Sequence, residues 1–414
     1  MGNPTIPVKC QLNLMLENIL DKIDLRQLGE RLQRARKRQG LTQEDAARIL
    51  DVARTTITAI EKGERRIRAS ELMRLAQEYG RDLSDFVSAR PQISDFQVQF
   101  RSSLSKTAAD EERVSVYIEQ LQELCTDYFE LEQILQRPLV KNYPSVFNYE
   151  NRRLEQAAEG LAIRERNRLG LGDGPLPSLR NMLEQDVGLR IFYLPLEPSS
   201  KFSEIYTFEA TLGGCVAVNG QHKPERCRWS LAHAYAHFLS DRTKPVITIA
   251  DQHQRKPESE RFADAFARYF LMPTSSITQR FNAIYEANGR TTPADLIKLA
   301  NYYGVSFEAM TLRLEDMRLV PPGLWERLKA RGFKVEEAQK KLGLEPVEEP
   351  DGKLPDRYIR LAIEAYEIGE ISEGELARYL RTDLLTARTI VEERRQQEPS
   401  DEALDQDLLE LVES

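Results

Sequence analysis

The chain predicts a mainly α fold with one small β-sheet. Three observations carry this. Helix-forming residues dominate a composition that is 41% hydrophobic and 30% charged. Apolar residues recur at three- and four-residue steps along most of the 414 residues. β-prone runs are confined to one stretch, LRIFYLPL, EIYTFEATL and CVAVN, with Gly213-Gly214 between the last two as a hairpin signal. The length suits two to four domains. The composition divides it into an extension (1–24), a five-helix unit (25–90), a helical linker (91–149), an α+β domain (150–320) and a helical C-terminal domain (321–414).

Bulk properties narrow the function. There is no run of 18 apolar residues, so no membrane span or membrane partner is expected. The first residues lack a basic stretch ahead of a long apolar one, so no secretory signal is expected. The four cysteines, Cys10, Cys125, Cys215 and Cys227, form no Cys-x-x-Cys pair, which fits a reduced, cytoplasmic protein with buried thiols. The net charge of −8 hides an asymmetry. Residues 26–68 hold twelve Lys/Arg against six Asp/Glu, while residues 401–414 hold six acids and no base. A face near the N-terminus is suited to phosphate.

Taken in order, residues 1–24 offer only LNLMLENIL as a helical turn or two. The next helix, LRQLGERLQRARKRQG, stripes Leu25, Leu28 and Leu32 on one face and stops at Gly40. In LTQEDAARIL, Thr42 is an N-cap with Asp45 three residues on, an acidic form of the capping box. Ala46, Val52, Ile57 and Ile60 then fall where two short crossing helices share a core, and Gly63 ends the second. Two short helices joined by a tight turn form the helix-turn-helix plan, in which the second enters a major groove. ASELMRLAQEYGRDLSDFV supplies closing helices.

This unit resembles the phage-repressor-like (XRE-type) helix-turn-helix family, through Leu-Thr-Gln-Glu-x-x-Ala, Val52, Thr56-Ile57 and Ile60-Glu61-x-Gly63. The resemblance implies that Arg54, Thr55 and Thr58 face base edges, with Arg54 suited to guanine, and that Gln43, Lys62, Arg65 and Arg66 anchor phosphates. The implied partner is double-stranded operator DNA bound by a homodimer. Ala53 departs from the polar cap more usual before the recognition helix.

In the linker, Val116, Ile118, Leu121, Leu124, Cys125, Phe129, Leu131 and Ile134 mark one long amphipathic helix near 113–136. Dimer pairing through that stripe is the expectation. After the β-prone stretch comes LAHAYAHFL. On a helix, His233 and His237 lie one turn apart on one face, the spacing of a two-histidine metal site. The next helix, ESERFADAFARYFLMP, has a Phe262, Phe266, Phe270 ridge, with Glu260 and Asp264 one turn apart on another face. Glu260 fits a third ligand, with Glu258 as the alternative. Asp264 fits an acid holding one His ring by its second nitrogen. The strand EIYTFEATL offers an edge for a substrate peptide. His222, His253, Tyr206 and Tyr269 are further candidates for substrate contact.

Together, VAVNGQHKPERCRWSLAHAYAHFLSD and ESERFADAFARYFLMP resemble the ImmA/IrrE family of metallopeptidases, over roughly residues 150–320. The matching features include Asn219, Arg228, Leu231-Ala232-His233, His237-Phe238, Glu260-x-x-Ala263-Asp264-x-Phe266-Ala267 and Leu271-Met272-Pro273. The resemblance implies a gluzincin-like α+β peptidase domain, a zinc ion on His233, His237 and Glu260 (with Mn²⁺ able to replace it in vitro), and cleavage of a repressor, a partner or the chain itself in a stress or phage response. A repressor-like domain joined to such a peptidase is a known combination in the family. Ala234 is the departure, because the family has the general-base Glu there. Such a base is worth on the order of 10²–10⁴ in rate. The chain is therefore expected to be either an inactivated peptidase or a non-enzymatic zinc-fold sensor, transcriptional repressor or antitoxin. The intact remainder of the site favours the first.

Beyond the peptidase region, Pro321-Pro322-Gly323 breaks the chain and EPVEEPDGK reads as a linker. A last helical bundle follows, with Ser372 capping one helix and Glu375 three residues on. It has no catalytic signature.

Overall fold

The structure is a computed structural model. It describes residues 20, 23–81, 83–87, 93–100, 108–195, 202–249, 256–347 and 352–397. The expectations for most of 1–24, for Cys10, for His253 and for the acidic 401–414 lie outside these residues. The chain divides into two compact units, Met1–Gln92 and Ile93–Ser414.

The first unit is built from α1 (Leu25–Arg38), α2 (Gln43–Leu50), α3 (Arg54–Glu61), α4 (Ala69–Glu78) and α5 (Ser84–Val87). Thr42 and Asp45 close a reciprocal capping box at the start of α2. Asp51 takes a left-handed conformation at its end (φ 57°), which makes the tight turn into α3. Ala53 caps α3 without a side-chain bond. Leu28, Leu32, Ala46, Leu50, Ile57 and Ile60 meet in one core.

Through that core runs a buried ion pair. Arg36 Nε and Nη2 reach the Glu61 carboxylate at 2.5 and 3.0 Å, and Gln43 Nε2 adds a bond at 2.9 Å. Burial pushes the Glu61 carboxyl up, but Arg36, Gln43 and Gln33 outweigh it and hold the group below its ordinary range. Arg36→Ala strands this carboxylate. It is expected to cost about 3–5 kcal/mol, read as a lower denaturation midpoint. Because the folded pKa lies below the unfolded 4.5, the native pair's contribution is full above that value and fades as pH falls through the folded one.

The second unit centres on a four-stranded sheet of β1 (Arg190–Leu194), β2 (Phe202–Glu209), β3 (Gly213–Asn219) and β4 (Val246–Ile249), in the order β1-β3-β2-β4. β1 and β3 are parallel, and β2 is antiparallel to both neighbours. Period-two alternation sends Ile191, Tyr193, Val216, Val218 and Tyr206 to one face. That face packs against α8 (Leu154–Arg168), α10 (Pro224–Ser240) and α11 (Glu258–Leu271), with α9 (Leu179–Met182) beside them. Beyond α11, α12 (Thr274–Asn288), α13 (Pro293–Tyr303) and α14 (Phe307–Asp316) complete this core, followed by α15 (Leu324–Ala330) and α16 (Val335–Lys341).

The other sheet face carries Phe192, Leu194, Ile205, Cys215 and Ala217. Here α6 (Phe96–Phe100), the long α7 (Ala108–Ile134), α17 (Asp356–Glu367), α18 (Glu373–Tyr379) and α19 (Leu384–Gln397) cover it. The expected long helix is α7, but its apolar stripe is not open for pairing with a second copy. Ile118, Leu121, Leu124, Cys125 and Leu131 are buried against this chain's own sheet, and Val116 points out instead. Burying the stripe within the fold satisfies the same hydrophobic demand that a dimer seam would meet.

The segment from α7 to α8 binds the site's scaffold by main chain. Phe147 N donates to Leu239 O at 2.7 Å, at the end of α10, and Asn142 N donates to Val187 O at 3.0 Å. Gly188 (φ 93°) lies under this segment, and a Cβ there would collide with the Val140 carbonyl. No described helix is long and apolar enough to cross a membrane.

Candidate functional site

Helix α10 starts with Pro224 in its first turn and is buried almost throughout from Cys227 to Leu239. A helix apolar on all sides belongs in a core, which makes two buried histidines on it conspicuous. His233 and His237 lie one turn apart, with ring centroids 4.9 Å apart in an edge-to-face arrangement. Helix α11 crosses α10 and brings Glu260 from its first turn to both rings. Glu260 Oε1 lies 3.3 Å from His237 Nε2, and Oε2 lies 3.6 Å from His233 Nε2. The three ligand atoms lie within 4.8 Å of one another.

This donor set fits a divalent transition metal. Two imidazole nitrogens and one carboxylate oxygen suit Zn²⁺, and ligand bonds of about 2.0–2.2 Å place such donors roughly 3.3–3.6 Å apart. Among the described residues, buried His237 Nε2 has the Glu260 carboxylate 3.3 Å away but no well-aligned hydrogen-bond partner, which suits a nitrogen that takes a metal. The expected ligands are therefore together. The alternative ligand, Glu258, is exposed and outside the cluster.

The carboxylate behind His233 was not anticipated from the sequence. Glu204, on β2, places Oε1 2.8 Å from His233 Nδ1, with both side chains buried. The contact is close in distance but not aligned as a hydrogen bond. A carboxylate on the far nitrogen fixes ring orientation and raises ligand basicity. The signal was present: Glu204 lies on β2 two residues before Tyr206, which faces the core. An acid on that same face needs a buried partner. Burial alone would lower the His233 pKa, but Glu204, Glu260 and Asp264 reverse this, and it is pushed up to about 9. Glu204→Gln is expected to weaken metal binding by about 10–100-fold, measured by competition with a chromogenic chelator.

Asp264 differs from expectation. It sits beside the inward nitrogen, Oδ1 3.7 Å from His233 Nε2, while its Oδ2 pairs with Lys256 at 2.6 Å. One turn beyond Glu260 on the same helix, it approaches the rings from the ligand side, and Glu204 takes the position behind. Ala234 is fully buried and offers only a methyl group. Tyr206 is buried with its hydroxyl donating to Arg242 O at 2.6 Å, Tyr269 packs under Arg313, and His222 Nε2 lies 3.2 Å from Asn219 Nδ2. None of these three joins the cluster. Cys227 Sγ donates to Asn219 O at 3.3 Å and is not a ligand.

β2 is also not a free edge. It is flanked by β3 on one side and β4 on the other, so the slot expected for a substrate peptide is filled by residues 246–249.

In the first unit, Arg54, Thr55, Lys62 and Arg66 are exposed on or just after α3. Three other expected contacts have internal partners. Gln43 binds Glu61, the Thr58 hydroxyl donates to Gln43 Oε1 at 3.2 Å, and Arg65 pairs with Glu71 at 2.9 Å. Side chains between two crossing helices find partners there before they find a ligand.

Comparison with known proteins finds one family in each unit. Residues 184–315 match a metallopeptidase family described as IrrE N-terminal-like domain, and residues 32–86 match a helix-turn-helix family. The chain thus carries an XRE-type helix-turn-helix followed by an IrrE-like domain. No curated protein matches. Among solved structures the chain is similar to ComR from Streptococcus suis, at 10% identity over 88% of this chain and 96% of that one. The TM-score of 0.15 is too low to support an argument from shape.

Proposed function

We propose that this chain is a DNA-binding transcriptional regulator whose second unit holds zinc in a peptidase-type site that Ala234 leaves without its base. The observation that carries this is the convergence of His233, His237 and Glu260 on one point, one residue from Ala234, in the domain with the peptidase-family match.

A bound Zn²⁺ would supply Lewis acidity toward a peptide carbonyl and a water of lowered pKa. His233, His237 and Glu260 would hold it, and Glu204 would keep the His233 ring in place. The residue at 234 would have to take the water's proton and hand it to the leaving amine, and a methyl group does neither. The substrate class is a protein: a repressor, a partner, or the chain itself in a stress or phage response. The second reading, a zinc-fold sensor or antitoxin without hydrolysis, is favoured specifically by Ala234. The test is to incubate the chain and its Ala234→Glu form with Zn²⁺ or Mn²⁺ and candidate repressors. Cleavage by the Glu form alone supports the peptidase reading, and cleavage by neither form supports the sensor.

For the first unit, the partner is operator DNA, with α3 in the major groove and Arg54, Thr55, Lys62 and Arg66 as contacts. Arg54→Ala is expected to relax base preference at one operator position by about 1–3 kcal/mol, measured by titrating single-base operator variants. Binding unchanged across that series would remove α3 from the groove.

A further inference from the structure

We infer that one exposed face of α8 receives the acidic segment 401–414 of a second copy of this chain. Three observations carry this, and none involves the metal or the residue at 234.

First, the face is basic and free of acids. α8 and its cap present Arg153, Gln156, Gly160, Ile163, Arg164 and Asn167 on one side, at three- and four-residue steps, and all are exposed. The acids of the helix lie off this side and have partners within the fold. Glu155 pairs with Arg268 at 3.5 Å, Glu159 accepts from the Thr274 hydroxyl, and Glu165 accepts from the Tyr235 hydroxyl at 2.6 Å. Among the described residues, Arg152, Arg153 and Arg164 have no acid partner. Positive charge left unneutralised on one face attracts an anionic partner.

Second, the face is built for contact. Phe147, held by its main-chain bond to Leu239, lies under two guanidiniums. Arg164 Cζ is 4.5 Å and Arg152 Cζ 5.3 Å from its ring centroid. Stacking holds the planar forks in place and leaves N–H donors for a carboxylate. Val146 and Ile163, at 52% and 53% exposure, add apolar surface. Gly160 sits at the centre. A mid-helix glycine weakens a helix relative to alanine, yet a Cβ at 160 would meet nothing within 4 Å. Packing inside the fold does not call for this glycine, whereas close approach by another chain does.

Third, the chain itself contains the complement. Residues 401–414 hold six acids and no base, with Leu404, Leu408 and Leu411 at four- and three-residue steps among them. The segment matches the face in charge and in apolar content. The same chain does not deliver it. α19 ends at Gln397 and covers the sheet face opposite α8. Residues 398–400 span about 10 Å when extended, roughly one layer spacing, whereas the sheet and a helix layer on each side lie between the two positions. A second copy supplies the segment instead, and reciprocal exchange closes a two-fold dimer. This gives the homodimer expected for operator binding a contact that the α7 stripe, buried inside the fold, does not.

The test uses the full-length chain and sedimentation equilibrium. The native chain should self-associate, and less so at high salt. Gly160→Glu places bulk and a like charge at the centre of the face while favouring the helix. It should raise the dimer Kd by at least about tenfold, with the thermal midpoint at or above native. A second variant neutralises the segment through Asp401→Asn, Glu402→Gln, Asp405→Asn, Asp407→Asn, Glu410→Gln and Glu413→Gln. It touches no described residue and should weaken association similarly. Mixing the two variants keeps one good face and one good segment, so the mixture should associate more tightly than either alone. A native chain that stays monomeric at every concentration, or association unchanged in both variants, overturns the inference. So does a Gly160→Glu form that associates normally but binds operator less well, because the face then meets phosphate. If Gly160→Glu lowers the thermal midpoint, a fluorescent 401–414 peptide decides. It should bind the neutralised chain and lose about tenfold when Arg152→Gln and Arg164→Gln are added, and equal binding overturns the inference.

Discussion

Ala234→Glu raises peptide-bond hydrolysis by on the order of 10²–10⁴-fold if the site is a peptidase lacking only its base. The expectation follows from what the site retains. Both histidines and Glu260 converge, and Glu204 backs one ring. The acids nearest the cluster do not replace the missing one. Glu204 lies behind His233, and Asp264 is engaged by Lys256. Ala234 is fully buried, so a longer side chain must extend toward the ligand side or disturb the packing of α10. Zinc content and thermal midpoint separate the two outcomes. A glutamate that is accommodated leaves both near native and adds turnover. One that is not accommodated lowers both. A folded, zinc-loaded Glu form that cleaves no candidate protein supports a zinc-fold sensor instead.

His237→Ala should have the second large effect, on metal rather than on rate. Loss of a backing carboxylate costs about 10–100-fold in affinity. Loss of a ligand removes a bond as well, and the expected drop exceeds 100-fold. Metal binding to the folded state alone also stabilises it, by about 2.7 kcal/mol when free metal is 100 times Kd. The native chain should therefore gain thermal stability on zinc addition, and the variant should gain almost none. Calorimetric scans with and without zinc measure this. A scaffold of merely packed histidines would give two superimposable shifts.

Much of this architecture was legible in the sequence because local rules and packing agreed. The helix-turn-helix was readable from Thr42, Asp45 and the spacing of Ala46, Ile57 and Ile60, all of which the structure uses as expected. His233 and His237 were readable as a pair because helical periodicity fixes which side chains share a face, whereas Glu260, on the next helix, was legible only through the resemblance to the peptidase family. What the sequence hid was long-range. Glu204 comes from a strand 29 positions before His233, and no local spacing connects them. β4 is four residues long, too short to stand out, so β2 read as a free edge. The stripe of α7 read as a dimer seam because periodicity shows that a face is apolar, not what buries it. Gln43, Thr58 and Arg65, expected as DNA contacts, have internal partners that no local spacing announces.

A metal ion held by His233, His237 and Glu260 is countable as zinc per chain, by mass spectrometry on protein purified without chelators. About one zinc is expected in the native chain and none in the His233→Ala, His237→Ala double variant, which tests the shared site. A native chain without zinc that takes up none when it is supplied, or a double variant that keeps its zinc, would contradict it.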